Sequence, residues 1–138
     1  TFIVNYNHLV KTSVFLKFFQ KLQKLMFFSQ NNKGINCLEK LQNNIKAFKR
    51  EVARLRLDKL FIESSSAIQS CIVPGNNRVK KASEFLCEKG YDVRPILSPT
   101  VPEGKERLRF CIHSFNSKVE ITQVLQHLAT FVPHGKQL

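Results

Sequence analysis

The stretch Tyr91-Asp92-Val93-Arg94-Pro95-Ile96-Leu97-Ser98-Pro99-Thr100-Val101-Pro102-Glu103-Gly104-Lys105-Glu106-Arg107-Leu108-Arg109-Phe110 joins a proline-rich loop to an alternating run. Pro95, Pro99 and Pro102 each fix φ and remove a backbone N–H, so the segment reads as a rigid loop without regular hydrogen bonding. Beyond Gly104, Leu108, Phe110 and Ile112 alternate with Arg107, Arg109, Cys111 and His113. Side chains two apart on a strand share a face, so this run has one covered side and one side carrying an arginine pair. The pair has two readings here: solvated cations on an edge hairpin, or a cation presented at a defined place to a ligand or another domain.

The flanking segments supply the elements such a strand needs. Ala67-Ile68-Gln69-Ser70-Cys71-Ile72-Val73 is a short β-type run stopped by Pro74-Gly75. Asn76 or Asn77 can cap a following helix, which shows Val79, Ala82, Phe85 and Leu86 on its apolar side and ends at Gly90. Pro95 biases Arg94 away from helix, so residues 92–96 are expected to be extended. After the alternating strand, Ser117 and Glu120 form a possible capping box, opening a last helix with Ile121, Val124, Leu125, Leu128 and Phe131 on its stripe. Upstream, Leu38, Leu41, Ile45, Phe48, Val52 and Leu55 recur three and four apart, which predicts a helix from about Gly34 to Leu57. The stripe is too short for a coiled-coil seam and suits packing on a sheet or a neighbouring helix. The order helix, strand, helix, strand, strand, helix predicts an α+β fold, a small antiparallel sheet with helices on one face, preceded by further helical segments.

Length and charge bound the rest. At 138 residues, with 43% hydrophobic residues, the chain can form one ordinary core. No run of about 20 apolar residues exists, so no transmembrane helix is expected. Cys37, Cys71, Cys87 and Cys111 contain no C-x-x-C pair and read as small hydrophobes of a reducing, cytoplasmic compartment. His8, His113, His127 and His134 share no ligand spacing, so no metal site is expected. The net charge is +12, and its excess lies in residues 1–60, which carry +9 against +3 for residues 61–138. Lys11, Lys17, Lys21 and Lys24 alternate with Phe15, Phe18, Phe19, Phe27 and Phe28. Such interleaving suits a surface that stacks bases and tracks phosphates, or a basic amphipathic helix on an anionic membrane. It equally suits a helix whose apolar cover is missing.

The residues also resemble a known family. Ala67-Ile68-Gln69, Gly90-Tyr91-Asp92-Val93-Arg94-Pro95-Ile96, Ser98-Pro99-Thr100-Val101-Pro102-Glu103-Gly104, Arg107-Leu108-Arg109 and His113-Ser114-Phe115-Asn116 are similar to the C-terminal domain of the α-oxoamine synthases. These are fold-type I pyridoxal-phosphate enzymes related to class I/II aminotransferases. They include the 8-amino-7-oxononanoate synthases of biotin biosynthesis and glycine C-acetyltransferase, the relatives whose loop is nearest. Gln42-Asn43-Asn44-Ile45 resembles the family's helix joining the large domain to the small one, so the likeness covers about Lys33 to Phe131. It implies a basic aromatic segment at 1–32, a linking helix at 33–60 and a small domain at 61–138.

The resemblance implies a decarboxylative condensation of an amino acid with an acyl-CoA, using pyridoxal phosphate as electron sink, in a cytoplasmic homodimer. By motif position Arg109 matches the arginine that holds the amino-acid carboxylate, and Thr100 matches the loop threonine assigned to substrate binding. Leu97 stands where many members carry a second loop arginine. No catalytic or cofactor-binding residue is assigned, because the family's cofactor lysine, pyridine-nitrogen aspartate and ring-stacking histidine belong to a large domain that would precede Thr1. Residues 1–6 faintly resemble the strand after the lysine region, whereas 7–32 depart from the family pattern. Two functional expectations result. The chain is the C-terminal part of a pyridoxal-phosphate acyltransferase, inactive alone, or it is a free-standing basic module binding nucleic acid or an anionic membrane surface.

Overall fold

A computed structural model of the protein describes residues 33–132. The basic aromatic segment at 1–32 therefore lies outside the described residues. The elements are α1 (Lys33–Arg54), a 3-10 turn (Asp58–Leu60), β1 (Phe61–Ile62), β2 (Ile68–Ile72), α2 (Asn76–Glu88), β3 (Arg94–Ile96), β4 (Arg107–Cys111) and α3 (Lys118–Phe131). The strands form one antiparallel sheet in the order β1-β2-β4-β3. This is the predicted α+β architecture, with the three helices against one face.

Alternation decides which face they cover. Leu108 and Phe110 of β4 are fully buried, as is Cys71 of β2, and Phe48 of α1 packs on them. The rings of Phe48, Phe61 and Phe110 meet pairwise at centroid distances of 5.6, 5.6 and 5.7 Å, joining α1, β1 and β4 in one aromatic cluster. Val79, Ala82 and Leu86 of α2 and Ile121, Val124, Leu125 and Leu128 of α3 complete the core. Burial of apolar surface on this scale, at about 25 cal/mol per Å², outweighs the weak ladder of strands only two to five residues long.

Several local expectations hold in detail. Ser117 caps α3 by accepting from the Glu120 N–H at 3.1 Å, and Glu120 accepts from the Ser117 N–H at 2.8 Å. Gly90 takes a φ of 92° just beyond α2, a conformation that costs glycine little.

Of the two readings of the arginine pair, the edge hairpin is removed, because the arginine-bearing strand is interior, between β2 and β3. Other expectations are corrected. Helix α1 stops at Arg54 because Arg56 turns to a φ of 54° and Leu57, 1% exposed, folds back into the core. Leu38 is 59% exposed, since the core reaches along α1 only as far as Leu41. Gly75, with no side-chain cap, precedes α2, so neither Asn76 nor Asn77 caps it. Strand β1 was not anticipated, because two residues carry no readable period.

Candidate functional site on the open face of the sheet

The covered face dictates what stands on the other one. In the antiparallel register Arg109 lies opposite Ser70 on β2 and opposite Arg94 on β3, while Arg107 lies opposite Ile72 and Ile96. Residues so paired share a face about 5 Å apart, so the side away from the helices carries three arginines at its centre. Arg109 is half-buried and Arg94 exposed. Asp92 engages Arg94, with Oδ1 2.7 Å from the arginine Nε, and the Arg107 Nε donates to the Lys105 carbonyl at 3.1 Å.

The loop entering β4 is pinned at both stems to the turn between β2 and α2. The side-chain amide of Asn76 accepts from the Ser98 N–H at 2.9 Å and donates to the Ser98 carbonyl at 3.2 Å, much as a neighbouring strand would. Glu106 is 1% exposed, yet its carboxylate accepts from the Gly75 N–H at 2.9 Å, and its carbonyl accepts from the Val73 N–H at 2.9 Å. The Gly75 N–H holds its carboxyl below the usual carboxylate range. Within the loop, Val101 donates to Leu97 at 3.2 Å and Lys105 to Pro102 at 3.0 Å, Gly104 adopts a φ of 78°, and the Ser98–Pro99 peptide is cis.

Thr100 stands exposed between the two stems. Thr100 and Arg109 thus belong to one loop-and-strand unit, but the contacts that fix the loop run to the β2–α2 turn and do not join these two side chains. Leu97 packs against the core and offers no cation at this point of the loop. Sequence reasoning missed Arg94, Asn76 and Glu106. Arg94 enters the site only through the β3–β4 register, and Asn76 stands where local chemistry favours a cap. The one visible signal for Glu106 was a carboxylate breaking into the start of an otherwise apolar-and-arginine strand.

At the far end of β4, the Asn44 side-chain amide donates to the carbonyls of His113 and Asn116, each at 2.8 Å, so α1 fixes the exit of this strand as the β2–α2 turn fixes its start. The His113 ring stacks on Phe115 at 4.8 Å with planes 4° apart, and burial pushes its pKa down. Alongside α1 and the turn before α3 lies an open concavity of about 1040 Å³, lined among the described residues by Lys40, Lys46, Lys49, Arg50 and Lys118 and by no acid.

Among the described residues no helix is long and apolar enough to cross a membrane, and no three His, Cys, Asp or Glu side chains are grouped to hold a metal. All four cysteines are free; Cys71 is buried, but Cys87 is exposed rather than a core hydrophobe. Every lysine from 40 to 118 is exposed.

A four-stranded antiparallel sheet with its helices on one side and cations on the other has the architecture of the small domain of a fold-type I pyridoxal-phosphate transferase. The comparisons with known proteins agree and are more specific. An 8-amino-7-oxononanoate synthase from Emericella nidulans is 37% identical over 86 residues, covering 57% of this chain and 21% of that protein. The enzyme of the same name from Photorhabdus laumondii is 32% identical over 102 residues, covering 74% of this chain and 26% of its own length. Among solved structures, 8-amino-7-oxononanoate synthase from Francisella tularensis superposes with a TM-score of 0.62 at 26% identity, over 79% of this chain and 30% of that one. A serine palmitoyltransferase from S. paucimobilis, bound to a PLP–myriocin aldimine, shares the fold at a TM-score of 0.58 and 21% identity. No protein-family model matches the chain. Over this region the chain is homologous to the 8-amino-7-oxononanoate synthases and has the fold of the α-oxoamine synthase C-terminal domain. It spans about a quarter of the length of the curated relatives it matches.

Proposed function

We propose that this chain is the C-terminal part of a pyridoxal-phosphate-dependent acyltransferase that condenses an amino acid with an acyl-CoA, and that Arg109 binds the amino-acid carboxylate. The observation that carries the reading is the place of Arg109: at the middle of an interior strand, half-buried, on the sheet face opposite the described helices. A guanidinium there is restrained by its strand and offers a planar fork that matches a carboxylate. Thr100, on the pinned loop, supplies a second polar contact to the same substrate.

The cofactor, which serves as electron sink in this chemistry, would be held by the large domain of the complete enzyme. The contribution of this chain is to bind and orient the amino acid against that domain. The division into a linking helix at 33–60 and a small domain at 61–138 belongs to the same proposal. So do biotin biosynthesis, a cytoplasmic location and assembly as a homodimer.

The test is to replace the C-terminal domain of a related 8-amino-7-oxononanoate synthase with this chain. Condensing activity, lost without the chain and regained with it, is the expected result; an enzyme that folds, binds pyridoxal phosphate and stays inactive would refute the proposal.

The basic concavity beside α1 favours a second reading, binding of single-stranded nucleic acid through phosphate contacts. Affinity that falls steeply with salt and is lost when Lys46 and Arg50 are neutralised supports it; binding that does not saturate removes it.

A further inference from the structure

The loop that carries Thr100 has a latch that its own sequence does not reveal. Asn76, the first residue of α2, turns its side chain away from the capping position and pairs with both backbone groups of Ser98, 22 residues on, at 2.9 and 3.2 Å. Its chain neighbour Gly75 is held in turn by the buried carboxylate of Glu106 at the other stem of the loop. The two contacts join both ends of the loop to one turn. Between them, backbone bonds run from Val101 to Leu97 and from Lys105 to Pro102. An exposed loop that carries a ligand-binding hydroxyl loses affinity to the entropy of ordering it, and a latch made in advance removes that cost.

We propose that Asn76 is a positioning residue for the substrate loop: it acts through Ser98 to hold Thr100 in place before the substrate arrives. This rests on the reading of Thr100 and Arg109 as substrate contacts, and the experiment separates the two claims. Amide hydrogen exchange of the full chain is measured for the wild type, Asn76→Ala, Asn76→Asp and the control Asn77→Ala, whose side chain is exposed on the same helix turn. Losing two hydrogen bonds should raise exchange at Ser98 and Val101 roughly tenfold in Asn76→Ala while Leu108 in β4 keeps its protection. Asn76→Asp keeps the acceptor for the Ser98 N–H and loses the donor, so it should fall between. Unchanged exchange at Ser98 and Val101, or an equal rise in Asn77→Ala, overturns the latch without reference to any substrate.

The functional half is read in an active transferase carrying this chain as its C-terminal domain. Asn76→Ala should raise the amino-acid KM severalfold with the acyl-CoA KM unchanged, and Asn76→Asp should recover part of the loss. If Asn76→Ala loosens the loop yet leaves the amino-acid KM unchanged, the positioning role is wrong. If Arg109→Lys also leaves that KM unchanged, the carboxylate reading itself has failed.

Discussion

Arg109 of β4 stands directly across from Arg94 of β3, two like charges on one face of the sheet about one strand spacing apart. Like charges directly opposite each other destabilise a sheet. What makes the pair tolerable is Asp92, which draws the Arg94 guanidinium to itself at 2.7 Å. Replacing Asp92 with Asn should therefore cost more than an isolated exposed pair, at the upper end of about 0.2–1 kcal/mol, and the cost should shrink with added salt. Urea unfolding of Asp92→Asn and of the double variant Asp92→Asn/Arg94→Gln is the check. The account expects the double variant to regain most of the loss.

The Asn44 side chain links α1 to the strand exit at two carbonyls, those of His113 and Asn116. Asn44→Ala leaves both acceptors short of a donor in a buried place, and about 2–3 kcal/mol of stability should be lost. Denaturant midpoints measure it. A loss below about 0.5 kcal/mol would show that water replaces the amide freely.

The Glu106 carboxyl titrates below the ordinary carboxylate range because the Gly75 N–H stabilises its charged form. A carboxylate with a depressed folded-state pKa contributes stability that is complete above its unfolded pKa and is lost as the pH falls through the folded value. Wild-type stability should thus drop on acidification more steeply than that of Glu106→Gln, which keeps an acceptor for Gly75 but does not titrate. Parallel curves for the two proteins would contradict this.

Burial pushes the Cys71 thiol up to about 12, whereas Cys87 is exposed on α2. A thiol is the weaker nucleophile while protonated, so iodoacetamide at neutral pH should label Cys87 and leave Cys71 untouched in the folded chain. For an acid whose folded pKa is raised, the folded state holds the proton longer than the unfolded one. Stability should therefore fall as pH climbs from the ordinary thiol range toward about 12. Peptide mapping after labelling decides the first point, and unfolding at graded alkaline pH the second.

Much of this architecture is legible in the sequence because the covered face writes itself as a period. Leu108, Phe110 and Ile112 alternate where a strand lies on helices, and Ile45, Phe48 and Val52 repeat where α1 lies on the sheet. Ser117 and Glu120 announce a capping box that the structure contains. The site is harder to read, since it depends on neighbours distant in sequence. Nothing in the order of residues places Arg94 beside Arg109; that requires the β3–β4 register. Asn76 follows a turn and precedes a helix, so local chemistry favours a cap, and the tertiary pairing with Ser98 overrides that preference. Strand β1 owes its existence to Phe61 meeting Phe48 and Phe110, a contact with no local signature.

The central claim is that Arg109 binds the amino-acid carboxylate, and steady-state kinetics of Arg109→Lys in an active transferase built with this chain tests it most directly. An ammonium keeps the charge but cannot make the two parallel hydrogen bonds of a guanidinium fork. The amino-acid KM should rise about tenfold or more, the loss expected when a charge-assisted hydrogen bond is removed, while the acyl-CoA KM stays near its original value. An amino-acid KM equal to that of the unaltered enzyme would contradict the account.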